Sequence, residues 1–190
     1  MKREMWNDIA SKGALLGLLM LAAYVVEQMG MLSGSLGLIV STGLGRLVVA
    51  GLYVWLMYRF AKRAAGRYGD DTLGFTYQQG LLYVVVTAMF AGVVVGFGGY
   101  LYIHYAVGYE SYVNELVSSM KQVLRASGNL QANMLRTYEE MLKTIAEQPE
   151  PSVLGSVFSS VFSYGFWGLL IGLFIASKVK REPRFTEDEE

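Results

Sequence analysis

Two long stretches of the chain contain no Asp, Glu, Lys or Arg: residues 72–109 and residues 151–177. The hydrocarbon core of a bilayer is about 30 Å thick, and a helix crosses it with about 20 apolar residues at 1.5 Å each. Buried helices of water-soluble proteins are shorter and carry a polar stripe. We therefore predict four membrane spans, at about residues 12–32, 36–60, 80–105 and 153–177.

The apolar runs favour helices over the strands of a membrane barrel. Barrel strands alternate apolar and polar residues, whereas residues 80–105 do not alternate. Lipid leaves the edge of an open sheet without hydrogen-bond partners, so even Val-rich segments become helical there. The first run could instead be a cleaved signal peptide, but Lys12 and Glu27 argue against that reading. The predicted fold class is an all-α integral membrane protein with four transmembrane helices in a single membrane domain, residues 1–190.

The distribution of positive residues predicts the membrane topology of the chain. Most of the 16 Lys and Arg residues lie before the first span, between the second and third spans, or after the fourth. Positive residues close to spans stay cytoplasmic. Both termini should then be cytoplasmic, with residues 107–151 outside and the acidic segment 182–190 as a cytoplasmic tail.

The outer segment 107–151 has the pattern of a helical hairpin. Apolar residues recur at helical spacing in about 110–126 and again in about 130–148, and Ser127-Gly128-Asn129 interrupts the two stripes. Pro149 and Pro151 should end the second helix. The hairpin either packs on itself and on the membrane surface, or docks a partner.

Glu27 and Arg46 are charged residues inside predicted spans. Counted from the outer helix ends, Glu27 is about 7 Å deep and Arg46 about 15 Å deep. An ionisable group at such depth is costly unless it is paired or hydrated. Three readings are open: an ion pair that fixes helix register, two separate groups that contact the interface or backbone carbonyls, or a polar path for an ion or substrate.

Small residues recur every four positions in all four spans, which predicts close helix contacts. The candidate helix-packing residues are Gly92, Gly96, Gly168 and Gly172; Gly13 and Gly17, and Gly37, Ser41 and Gly45, form similar faces on the first two spans. These faces pack within one bundle or between two copies of the chain.

Composition argues against several classes of function. The formal net charge is zero, whereas nucleic-acid binding needs surplus positive charge. The chain has no Cys and one His, so it lacks the ligands of a typical zinc site and the partners of a Cys–His dyad. His104 lies among tyrosines and reads as an interfacial polar residue. We expect no catalytic residue, no bound metal and no cofactor.

The order of several motifs is similar to that of a known family. Gly13-x-x-x-Gly17 opens the first span, and Phe75-Thr-Tyr-Gln-Gln-Gly80 opens the third. Gly168-x-x-x-Gly172 lies in the last span, which ends in Ala176-Ser-Lys-Val-Lys-Arg181. Over about residues 8–181 the chain resembles the uncharacterised bacterial inner-membrane family known as domain of unknown function 4199. The resemblance implies a four-span protein of the bacterial inner membrane with an extracytoplasmic helical insertion, and it transfers no functional residue.

The expected function is that of a non-enzymatic scaffold or accessory subunit, which acts through helix–helix and hairpin contacts. Its partners would be the lipid bilayer and either another protein or a second copy of the chain. The alternative is a small transporter or channel component with a polar site at Glu27 and Arg46.

Overall fold

A computed structural model describes residues 3–69, 74–126 and 132–181, and the regular elements in those ranges are helices. They are α1 Arg3–Leu32, α2 Leu36–Tyr68, α3 Tyr77–Leu101, a π-helical turn Tyr102–Val107, α4 Tyr109–Ala126, α5 Ala132–Glu147 and α6 Val153–Val179. Four helices are long and apolar enough to cross a membrane: α1, α2, α3 with its π-helical continuation, and α6, at mean hydropathies of 1.6 to 2.3. The predicted all-α class with four spans is confirmed.

The first two spanning helices extend beyond the apolar runs that predicted them. α1 begins at Arg3, and α2 continues to Tyr68. The added turns are amphipathic: Met5 and Ile9 are buried on α1, as are Ala61, Ala64 and Ala65 on α2. A charge-free window ends at the first charged residue, whereas a helix continues for as long as one of its faces is packed.

α3 is the central helix of the bundle. Half of its most apolar stretch is buried inside the protein, against 6% for α2. Glycines bring α3 and α6 into backbone contact: a Cβ added at Gly92 would lie 2.8 Å from the Ser160 carbonyl oxygen. Such close approach is how helices associate in lipid, where burial of apolar area drives association little.

The connection between α2 and α3 is joined to the chain that follows α6. The Phe75 N–H donates to the Arg181 carbonyl at 3.1 Å, and the Arg181 N–H donates to the Phe75 carbonyl at 3.0 Å. Thr76 and Gln79 form a capping box that begins α3. The start of α3 and the end of α6 are thereby held together.

α4 and α5 lie between α3 and α6 in the chain, and α4 contacts the C-terminal end of α1. The Ser119 hydroxyl donates to the Leu32 carbonyl at 2.7 Å, and Leu142 of α5 lines an apolar cavity together with Met31 of α1 and Leu116 of α4. The predicted break at residues 127–129 and the acidic tail 182–190 lie outside the described residues. That α4 and α5 form an extracytoplasmic hairpin stays a prediction.

Candidate functional site around Glu27 and Arg46

The structure brings the two charged residues of the spans together. Arg46 Nη1 of α2 donates to Glu27 Oε2 of α1. Ser33–Ser35 forms a short connection between the two helices, so they run antiparallel and the long Arg46 side chain reaches Glu27 across the gap. The Arg46 side chain stays 40% exposed, and that of Glu27 19%. The pair is therefore only partly covered by the protein.

A second polar contact lies beside Glu27 and involves no charge. Gln28, which is buried, accepts a hydrogen bond at 2.9 Å from the Tyr112 hydroxyl of α4. Burial raises the pKa of Tyr112, and the neighbouring phenols Tyr109 and Tyr102 act in the same direction. Tyr112 therefore remains a protonated donor at neutral pH and ties α4 to α1. This contact could not be predicted from the sequence, because neither residue is charged and 84 positions separate them.

The four predicted packing glycines all lie at contacts between α3 and α6. A Cβ added at Gly96 would lie 2.8 Å from Val157 Cα, and one added at Gly168 would lie 2.5 Å from Ala88 Cβ. Gly92 meets the Ser160 backbone, and Gly172 meets the side chain of Leu81 at 3.0 Å. These glycines allow the close packing of α3 against α6.

The first half of α2 differs from the other spans because it is open. None of the residues 36–52 is buried, and the buried residues of this helix begin at Tyr53. A Cβ added at Gly43, Gly45 or Gly51 would meet no atom within 4 Å. Gly45, on the predicted small-residue face, thus has open space beside it within the described chain. Arg46 lies in this open half.

A cavity of about 410 Å³, lined by both polar and apolar residues, lies close to the ion pair. Its lining comes from α1, α3, the π-helical turn, α4, the connection 148–151 and α6, and it includes Tyr24, Tyr112 and Ser160. Tyr24 is three residues before Glu27 and therefore shares its side of α1. The cavity reaches to within one helical turn of Glu27.

His104 lines the same cavity from the π-helical turn, a local geometry often found at functional sites. Its Nδ1 contacts Glu150 Oε1, and its ring stacks on Tyr100 at 5.2 Å between centroids. The sequence predicts His104 at the membrane interface but not its carboxylate partner, because 46 positions separate His104 from Glu150. Over residues 3–69, 74–126 and 132–181, no group of three or more His, Cys, Asp or Glu side chains is placed to hold a metal ion.

The four apolar helices and their glycine contacts define a multi-pass helical membrane protein. The family described as "Protein of unknown function (DUF4199)" matches residues 12–181, and the chain belongs to this family, as the resemblance predicted. No curated protein and no solved structure matches the chain. The family description states no activity.

Proposed function

We propose that the protein is a non-enzymatic accessory or scaffold subunit of a membrane assembly, and that a partner's transmembrane helix packs on the open half of α2. The observation that carries the proposal is Arg46, which is 40% exposed inside a predicted span. Charged residues in spans normally face protein or a water-filled cavity, because lipid solvates them poorly. A partner helix over this part of α2 would cover the Arg46–Glu27 pair.

Gly43 supports the same surface. It lies three residues before Arg46 and so on the same side of α2. A Cβ added at Gly43 would meet no atom within 4 Å, so the glycine leaves a shallow notch on the helix. Notches of this kind let two helix backbones approach closely in lipid. Gly45, two residues on, faces roughly the opposite side, because each residue turns about 100°.

Site-specific crosslinking in native membranes tests this surface. The chain has no Cys, so a Gly43→Cys variant carries one thiol for a crosslinker. We expect the Gly43→Cys variant to form one crosslinked product of defined mass with its partner, and the matched Gly45→Cys variant to form none. An adduct of twice 21.0 kDa would identify a second copy of the chain as the partner. Equal adducts at both positions, or none at position 43, would contradict the proposal.

We also propose that the protein lies in a bacterial inner membrane with both termini cytoplasmic and with α4 and α5 outside. This topology is supported by the Lys and Arg residues that follow α6 and by those in the last turns of α2. A membrane-impermeant maleimide should label Ser118→Cys in intact cells and label Lys178→Cys only after lysis; both positions are exposed in the structure. Labelling of both variants in intact cells would show that the proposed topology is wrong.

The second candidate function is a small transporter or channel component. The cavity that reaches within one turn of Glu27 favours it, since an ion or substrate path needs polar space beside the charged pair. Flux of a solute or ion through liposomes that contain only the purified protein would support transport. A protein that leaves the liposomes tight and is recovered with a stoichiometric partner would support the accessory role.

A further inference from the structure

A cluster of positive side chains lies at the other end of α1 and α2, far from Glu27. Here the two helices enclose a cavity of about 270 Å³. Lys12 and Asp8 of α1 line it, together with Phe60, Arg63, Arg67 and Tyr68 of α2. Because the cations come from two helices and face one space, the cluster is more than a charged stripe along a single helix.

Among the residues that line this cavity, positive charges outnumber negative ones. The one carboxylate of the lining, Asp8, accepts a hydrogen bond at 2.7 Å from the buried Tyr83 hydroxyl. Within the described ranges, no carboxylate lies within ion-pair distance of Lys12, Arg63 or Arg67. Three cations and one carboxylate leave two positive charges in a small space, and such a surplus attracts an anion.

Aromatic rings complete the walls of the cavity. The Lys12 ammonium lies 5.3 Å from the centroid of the Phe60 ring, and the Arg67 guanidinium lies 5.6 Å from that of Tyr68. These contacts restrict where the cationic groups can move. Two guanidiniums and an ammonium can donate hydrogen bonds to phosphate oxygens, and Arg can bind phosphate through two parallel hydrogen bonds.

We infer that this cavity binds a phosphate group, carried either by the headgroup of an anionic lipid or by a soluble phosphate compound. Its depth suits a headgroup, because Lys12 directly precedes the charge-free residues 13–26 of α1. Basic pockets between transmembrane helices bind anionic headgroups in this way. The site is independent of the proposed partner surface, which lies in the other half of α2.

The test uses the purified full chain and two double variants of equal charge. Arg63→Gln with Arg67→Gln removes two cations from the cavity, whereas Arg59→Gln with Lys62→Gln removes two cations of the same helix that do not line it. Native mass spectrometry in mixed phosphatidylglycerol and phosphatidylcholine measures the retained lipid. Each cavity cation should account for about fivefold in phosphatidylglycerol affinity, so the cavity double variant should bind about 25-fold more weakly. The control variant should change by less than about twofold.

Inorganic phosphate is the second probe and separates the two sources of the phosphate group. If inorganic phosphate does not displace the retained phosphatidylglycerol, the cavity binds a lipid headgroup. If inorganic phosphate stabilises the protein against heat, and the cavity double variant loses this stabilisation, the cavity binds a soluble compound. Equal loss in both double variants, or no preference for either probe over phosphatidylcholine, would overturn the inference. If the cavity double variant does not fold, Lys12→Gln alone should still show the fivefold loss. Crosslinking at position 43 is unaffected by these variants, so the two proposals fail separately.

Discussion

A Gly96→Leu variant is expected to lose roughly 3 kcal/mol of folding free energy, the upper end of what overpacking costs. The reason is that the atoms in the way belong to the backbone of α6. A Cβ at this position would lie 2.8 Å from Val157 Cα and 2.9 Å from the Ser156 carbonyl oxygen. Backbone atoms cannot turn aside as a side chain can, so α3 and α6 would have to separate along part of their interface.

The measurement is reversible unfolding of the purified protein in mixed micelles, with the helical signal as readout. Gly45→Leu is the matched control, because it makes the same chemical change in another span at a position where the added Cβ meets no atom within 4 Å. The control should stay within about 0.5 kcal/mol of the parent protein. Similar losses in both variants would mean that leucine alters helix insertion generally, and the described α3–α6 contact would then not explain the effect.

An Arg46→Leu variant is expected to insert normally and to lose about 2 kcal/mol of stability, less than the cost of breaking a fully buried ion pair, because the Arg46–Glu27 pair is only partly covered by the protein. Leucine favours membrane insertion, so the span itself should form. The loss arises at Glu27, whose carboxyl group would lose its guanidinium partner in a position that is only 19% exposed. Insertion is measured by protease protection, and stability by the same unfolding assay.

The double variant Glu27→Gln with Arg46→Leu separates the cost of an unpaired charge from the value of the pair itself. With both ionisable groups removed, much of the lost stability should return, because no unpaired ionisable side chain remains in the span. If the single variant Arg46→Leu is as stable as the parent, the ion pair has no structural role. A double variant no more stable than Arg46→Leu alone would show that Arg46 acts through contacts other than Glu27.

Much of the architecture could be predicted because lipid makes strong demands on sequence. The absence of charge over 72–109 and 151–177 was enough to place α3 and α6. The spacing of Gly92, Gly96, Gly168 and Gly172 identified residues that the structure places between these two helices. Both signals are local in the sequence, so no knowledge of the tertiary structure was needed.

The contacts that form the cavities could not be read in this way. His104 and Glu150, or Asp8 and Tyr83, are each far apart in the chain and share no spacing rule. The small-residue face on α2 looked like those of the other spans, yet Gly45 meets no neighbour. Residue spacing shows that a helix face is suited to contact, but not whether another helix of the same chain occupies it.

The doubled backbone link between Phe75 and Arg181 has a consequence for biosynthesis. A ribosome delivers α1, α2 and α3 well before α6, so the glycine face of the central helix enters the bilayer while its main partner does not yet exist. The close contact between α3 and α6 therefore forms only after α6 has entered the membrane. Until then the glycine face of α3 is exposed to lipid and to other membrane proteins.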